Sequence, residues 1–266
     1  MTEEIETLLK ETRIHRPSAQ AVASAHVKDY DAEYKASVAN PEKFWDKVAQ
    51  ELEWFSPWHT VLEWNYPWAR WFVGATCNIA YNCLDRHVKT WRRNKVALIW
   101  VGEDDQERVF TYAELYRQVN RCANALKRLG IAKGDRVTIY LPKIPEQVIA
   151  MLACARIGAV HSVVYSGFSA PALASRIHDA ESRAVITADV GFDRGKVIPL
   201  KSVVDEALKT CPTVGRVIVV RRQPTMCPLS APKELDWHEW IRGESAVCDV
   251  EPLDAETPLY ILYTSG

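Results

Sequence analysis

Three short runs in this 266-residue sequence carry the side chains and glycines that could hold an anionic ligand. The first is Tyr165-Ser166-Gly167-Phe168-Ser169. Tyr165 offers a ring for stacking on a purine, Gly167 lets a ligand approach the backbone, and Ser169 can cap a following helix. An ordinary strand-to-helix turn would use the same residue types. The second is Gly191-Phe192-Asp193-Arg194-Gly195-Lys196. Here Arg194 can grip a phosphate with two parallel hydrogen bonds and Lys196 adds a point charge. Asp193 opposes an anion, and a plain solvated turn is the competing reading. The third is Tyr263-Thr264-Ser265-Gly266, an apolar run passing into Thr-Ser-Gly. Phosphate-cradling loops open in this way, with amides and hydroxyls surrounding the anion. A strand leading to an unfinished loop is the expected mark of truncation. Uncovered sheet edges and apolar faces would then make the isolated chain prone to aggregate.

Other titratable residues suggest less. Seven cysteines and seven histidines are scattered, without a C-x-x-C pair or a metal-ligand spacing. Reduced, partly buried thiols are expected, and no metal site. His87 and His161 are read as structural residues rather than general bases, and Asp85 with Arg86 as an ion pair rather than a catalytic pair. Lys plus Arg number 33 against 34 Asp plus Glu, so no long-range field draws in nucleic acid or an anionic membrane. No stretch reaches the roughly 20 apolar residues of a membrane-spanning helix. The acidic start lacks the basic-then-apolar pattern of a signal peptide. A cytoplasmic protein is expected, with neither nucleic acid nor membrane as partner.

The elements that must position these runs follow from periodicity. Thr111 and Glu114 form a capping box, Leu115, Val119, Cys122, Leu126 and Leu129 recur at helical spacing, and Gly130 supplies a stop. Apolar strands are expected at Arg136–Leu141, Val160–Tyr165, Ala184–Thr187, Arg216–Val220 and Leu259–Tyr263. Helices are expected at Glu146–Arg156, Ala170–Ala180 and Ser202–Leu208, with a helical turn at Trp237–Ile241. Short continuous apolar strands separated by helices predict an α/β fold, an open and mostly parallel sheet covered on both faces. Ligands of such sheets bind beyond the carboxyl ends of the strands, where all three runs fall.

Residues 1–100 hold eight of the ten tryptophans and show little periodicity after an expected helix near Pro41–Leu52. Such a segment can wrap large rings over another domain's surface. Division into 1–100, an amino-terminal segment packed on the sheet, and 101–266, the sheet domain, is the expected organisation.

At these residues the sequence resembles the AMP-forming acetyl-CoA synthetases, within the adenylate-forming acyl-CoA ligase superfamily. The likeness runs from about residue 28 to the end. It is carried by Asn40-Pro41-Glu42-Lys43-Phe44-Trp45, by Trp71-Phe72-Val73-Gly74, and by the specific run Asn78-Ile79-Ala80-Tyr81-Asn82-Cys83-Leu84-Asp85-Arg86-His87. Phe110-Thr111-Tyr112-Ala113-Glu114-Leu115, Gly158–Val164 and Gly167-Phe168-Ser169 add to it.

The resemblance implies a two-step ligase. ATP and a short carboxylate form an acyl-adenylate with Mg²⁺ balancing phosphate charge, and CoA then takes the acyl group and releases AMP. It implies that 1–100 is the acetyl-CoA synthetase-type amino-terminal segment and 101–266 the first part of the AMP-binding domain. Tyr165, Ser166 and Gly167 would line the CoA adenine pocket. Asp193, Arg194, Gly195 and Lys196 would be the basic loop for the CoA nucleotide phosphate. That loop usually begins with Arg where this chain has Asp193, so either Arg194 substitutes or CoA binds more weakly. Thr264, Ser265 and Gly266 would open the ATP phosphate loop. No catalytic residue of the family falls within this chain, which is expected to be inactive alone. A ligase for propionate or another short acid, a non-catalytic CoA- or nucleotide-binding module, and a tryptophan-rich interaction protein are the alternatives.

Overall fold

The alternation after Thr111 builds one parallel sheet in the computed structural model, which describes residues 14–103, 105–223 and 227–264. The described residues fall into two compact units, one up to Glu51 and one from Leu52 onward.

The first unit is helical: α1 Ala19–Ser24, α2 Tyr30–Ala39 and α3 Pro41–Ala49. Each start is fixed by a side-chain cap. Asp29 accepts from the Ala32 amide at 3.0 Å and Asn40 from Lys43 at 2.9 Å, with Pro41 preset for the first helical position.

The second unit opens with strands β1 Thr60–Asn65 and β2 Trp68–Val73, an antiparallel pair, then the short β3 Thr76–Cys77. A second antiparallel pair follows, β4 Val96–Val101 and β5 Glu107–Thr111. These strands correct the expectation of little regular structure before residue 100. Tryptophans and other large apolar residues fall on both faces of these ribbons, which hides the period of two that marks a strand.

Helix α4 Tyr112–Arg128 starts at the expected capping box, with Glu114 accepting from the Thr111 amide at 2.8 Å and Thr111 from the Glu114 amide at 3.2 Å. Then come β6 Arg136–Tyr140, α5 Pro145–Arg156, β7 Val160–Val163, α6 Ala170–Asp179 and β8 Ala184–Ala188. A small hairpin follows, β9 Gly191–Asp193 and β10 Lys196–Ile198. After it are α7 Leu200–Leu208, β11 Arg216–Val220, β12 Glu234–Asp236, α8 Trp237–Arg242, β13 Leu253–Asp254 and β14 Tyr260–Ile261.

Six strands form the central sheet in the order β12-β11-β8-β6-β7-β14, every neighbouring pair parallel. The chain runs from β6 outward to β7, then returns past β6 to β8 and on to β11. Right-handed crossovers therefore place α5 on one face and α6 and α7 on the other. In agreement, α4 packs with α5 and α6 with α7. Val137, Ile139, Val185, Ile186, Val217 and Ile218 are fully buried, as a sheet covered on both sides requires.

The Asn78–His87 run fastens the tryptophan-rich strands to this sheet domain. The Asn78 amide donates to the carbonyls of Ala155 and Glu251, both at 2.9 Å. Asn82 exchanges hydrogen bonds with the backbone of Glu53, 2.9 Å each way. Asp85 accepts from both terminal nitrogens of Arg156, at 2.7 and 3.0 Å, and Arg156 also donates to the Cys248 carbonyl. The expected pairing of Asp85 with Arg86 is thus corrected. Arg86 instead donates to the Asn82 side chain at 3.2 Å. The run turns as a π-helix over Tyr81–Asp85, which swings neighbouring side chains onto different faces and aims Asp85 into the interior.

Candidate functional site on the carboxyl rim

The reversal of strand order fixes where a ligand fits. Connections leave β6 and its neighbour β8 on opposite faces, opening a crevice at their carboxyl ends. Two of the three sequence runs flank that crevice.

Tyr165–Ser169 follows β7, next to β6. Burial of Tyr140, the last residue of β6, raises its hydroxyl pKa above the ordinary tyrosine value. That hydroxyl bridges the carbonyls of Ser166 at 2.9 Å and Phe168 at 2.8 Å, so the strand end holds the loop. Tyr165 is 66% exposed, its ring edge-on to Phe168 with centroids 5.7 Å apart. The group that approaches Gly167 closely is the Tyr165 ring itself. A Cβ on Gly167 would lie 2.4 Å from Tyr165 Cε1, so only glycine lets the ring fold back over the loop. Phe168 also carries the Arg176 guanidinium, 4.5 Å from its ring centroid. Ser169 stands at the amino end of α6, and its side chain makes no capping bond to the helix.

Residues 193–196 follow β8. They form a two-residue hairpin turn, with Asp193 paired to Lys196 and Arg194 and Gly195 both at positive φ, +50° and +72°. All four are exposed. The two amides at the tip are engaged: Arg194 donates to Glu103 Oε1 at 2.9 Å and Gly195 to Glu103 Oε2 at 3.2 Å. Asp189, buried at the carboxyl end of β8, accepts from the amides of Val190, Arg222 and Gln223 at 2.7, 2.8 and 2.7 Å. It ties the end of β11 to that of β8.

Thr264, after β14, is on the same rim, beside the β7 loop because β14 pairs with β7. Ser265 and Gly266 lie outside the described residues. Tyr263 donates to Asp179 at 2.5 Å, and burial with that hydrogen bond raises its hydroxyl to about 12.

The two histidines lie away from this crevice. His161 sits in β7 with its ring 5.8 Å from Tyr260, and burial lowers its pKa to about 4, so it is neutral. The His87 ring lies tilted at 50° against Tyr112, centroids 4.9 Å apart, its pKa lowered by burial and then by Arg86 and Arg92. All seven cysteines are free thiols. Among the described residues no three His, Cys, Asp or Glu side chains gather as a metal site, and no helix is long and apolar enough to cross a membrane.

Glu103, Tyr140 and Asp189 did not appear as candidates from sequence. Asp189 had a local signal, a carboxylate directly after an apolar strand. Glu103 had none, since its partners lie 91 and 92 residues away.

The rim is thus a doubly wound sheet with an aromatic loop and a basic hairpin beside its switch point, and the fold that carries it is shared with a solved structure. The acetoacetyl-CoA synthetase from Streptomyces lividans superposes with a TM-score of 0.85 at 32% identity, covering 94% of this chain and 41% of that one. Acetyl-coenzyme A synthetase of Gemmatimonas aurantiaca is 49% identical over 269 residues, 99% of this chain and 41% of its own length. That of Deinococcus radiodurans is 49% identical over 98% of this chain and 41% of its length. That of Methanothrix thermoacetophila reaches 52% over 84% and 34%. The chain thus spans about two fifths of the length of these relatives. Residues 30–83 match the acetyl-coenzyme A synthetase N-terminus family and residues 84–266 the AMP-binding enzyme family. The chain belongs to the AMP-binding enzyme family, joined to an amino-terminal segment of the acetyl-CoA synthetase type.

Proposed function

We propose that this chain is the amino-terminal part of an AMP-forming acetate–CoA ligase. The complete enzyme would make acetyl-CoA from acetate, ATP and CoA through an acetyl-adenylate, releasing pyrophosphate and AMP. The observation that carries this reading is likeness from end to end: 49% identity over 99% of the chain to a protein named acetyl-coenzyme A synthetase. An isolated binding module would resemble its relatives over the sheet alone, whereas here the amino-terminal segment matches as well.

Within that reaction, the residues present would bind and position. Tyr165 would lay its exposed ring against the CoA adenine, with Ser166 and Gly167 completing the pocket wall. Arg194 and Lys196 would hold the nucleotide phosphate by charge-assisted hydrogen bonds. Asp193, paired with Lys196 in the same hairpin, would oppose an anion and weaken the grip. Thr264, with Ser265 and Gly266, would begin the loop around the ATP phosphates. Mg²⁺ would arrive on those phosphates, as is usual for this hard cation. The division at about residue 100 and a cytoplasmic setting belong to the same proposal.

The test uses the complete ligase carrying these residues. Acetate-dependent exchange of pyrophosphate into ATP without CoA, followed by CoA-dependent release of AMP, is the expected pattern. Exchange that prefers propionate over acetate would move the assignment to another short acid. No exchange with either acid would overturn it.

A further inference from the structure

Glu103 and the hairpin tip combine three features. The carboxylate grips two successive amides, Arg194 at 2.9 Å and Gly195 at 3.2 Å, one on each oxygen. Both residues hold positive φ, which turns their amides to the same side. Glu103 itself comes from the β4–β5 connection, whose preceding strand is anchored to the β6 end by Trp100 Nε1 donating to the Lys143 carbonyl at 2.7 Å.

A pair of outward amides at such a turn is a ready receptor for an anion. Here the chain fills it with its own carboxylate. With those amides taken, the turn has the Arg194 and Lys196 side chains left to offer a phosphate.

We propose that Glu103 is a positioning residue for the nucleotide-phosphate end of CoA: it clamps the Arg194–Gly195 turn and thereby presents Arg194 and Lys196 to the ligand. The proposal rests on the CoA reading of the hairpin. Two opposed effects are in play. Losing the clamp frees the turn and weakens phosphate binding. Losing the negative charge removes a repulsion and strengthens it. The charge sits at the exposed surface, where water and salt screen it, so the clamp dominates.

The test compares E103A, E103Q, R194A and K196A in the complete ligase. E103A is expected to raise the KM for CoA about tenfold and to leave acetate-dependent ATP–pyrophosphate exchange unchanged. E103Q, which keeps an acceptor oxygen for the Arg194 amide, is expected to stay within about twofold of the parent. Hydrogen exchange at the Arg194 and Gly195 amides should quicken about tenfold in E103A, with sheet amides unaffected. Tighter CoA binding in E103A would overturn the inference and make Glu103 a repulsive competitor. If R194A and K196A raise the KM while E103A does not, the inference falls and the CoA reading stands. If none of the three moves it, both fall.

Discussion

Replacing Asp85 by alanine should do more damage than any other single change in the amino-terminal segment. Arg156 is 2% exposed and Asp85 8%. Their two hydrogen bonds, at 2.7 and 3.0 Å, come from the one carboxylate that pairs with this guanidinium among the described residues, and its other bonds reach the neutral Cys248 carbonyl. Removing the carboxylate strands a buried cation, a change that costs about 3–5 kcal/mol. For a unit of this size such a loss lowers the thermal midpoint by roughly 10 °C. With a urea slope of about 2–3 kcal/mol per molar, the midpoint should fall by roughly 1.5 M. Urea unfolding followed by tryptophan fluorescence reads this directly. A double change, D85L with R156M, exchanges the pair for apolar volume and should recover most of the loss. A D85A midpoint within about 0.3 M of the parent would refute the reasoning, and so would a double variant worse than D85A.

Three further outcomes follow from particular side chains. His161 has a folded pKa of about 4 against an ordinary 6.5, so its contribution is complete above pH 6.5 and is lost as pH falls toward 4. At 1.36 kcal/mol per unit, about 2–3 kcal/mol should disappear between pH 7 and pH 4.5, and H161L should flatten that dependence in urea titrations. G167A puts a methyl group 2.4 Å from Tyr165 Cε1 and must displace the ring. The KM for CoA should rise several-fold while stability changes by less than about 1 kcal/mol, and an unchanged KM would remove Tyr165 from the site. Burial raises the Cys154 thiol to about 12, whereas Cys83 is exposed. In timed alkylation with mass mapping, Cys83 should be labelled before Cys154, and the reverse order would contradict the packing.

What could be read from sequence divides along physical lines. The helix from Tyr112 and the five core strands were legible because their signals are local: a capping box, and apolar runs bounded by turn residues. The two rim loops were legible because residue type and strand ends coincide there. The ribbons Thr60–Val73 and Val96–Thr111 were not, since large apolar residues on both faces erase the alternation. In sequence Arg194-Gly195 looks like a loop rather than a hairpin, because Asp193 and Lys196 look like solvated charges until their backbones pair. The Asp85–Arg156 pair joins residues 71 apart and the Glu103 clamp residues 91 apart, distances at which single-sequence patterns carry no information. Gly167 in sequence suggests room for a ligand, but the space beside it is filled by the Tyr165 ring.

In the proposed CoA site the Tyr165 loop and the 193–196 hairpin together hold the nucleotide. Photolabelling the complete ligase with an azido-adenine analogue of CoA, followed by peptide mapping, addresses this most directly. Label is expected on the peptide containing Tyr165–Phe168, suppressed by unmodified CoA and reduced in K196A. Label competed by CoA but confined to peptides away from this rim would contradict it.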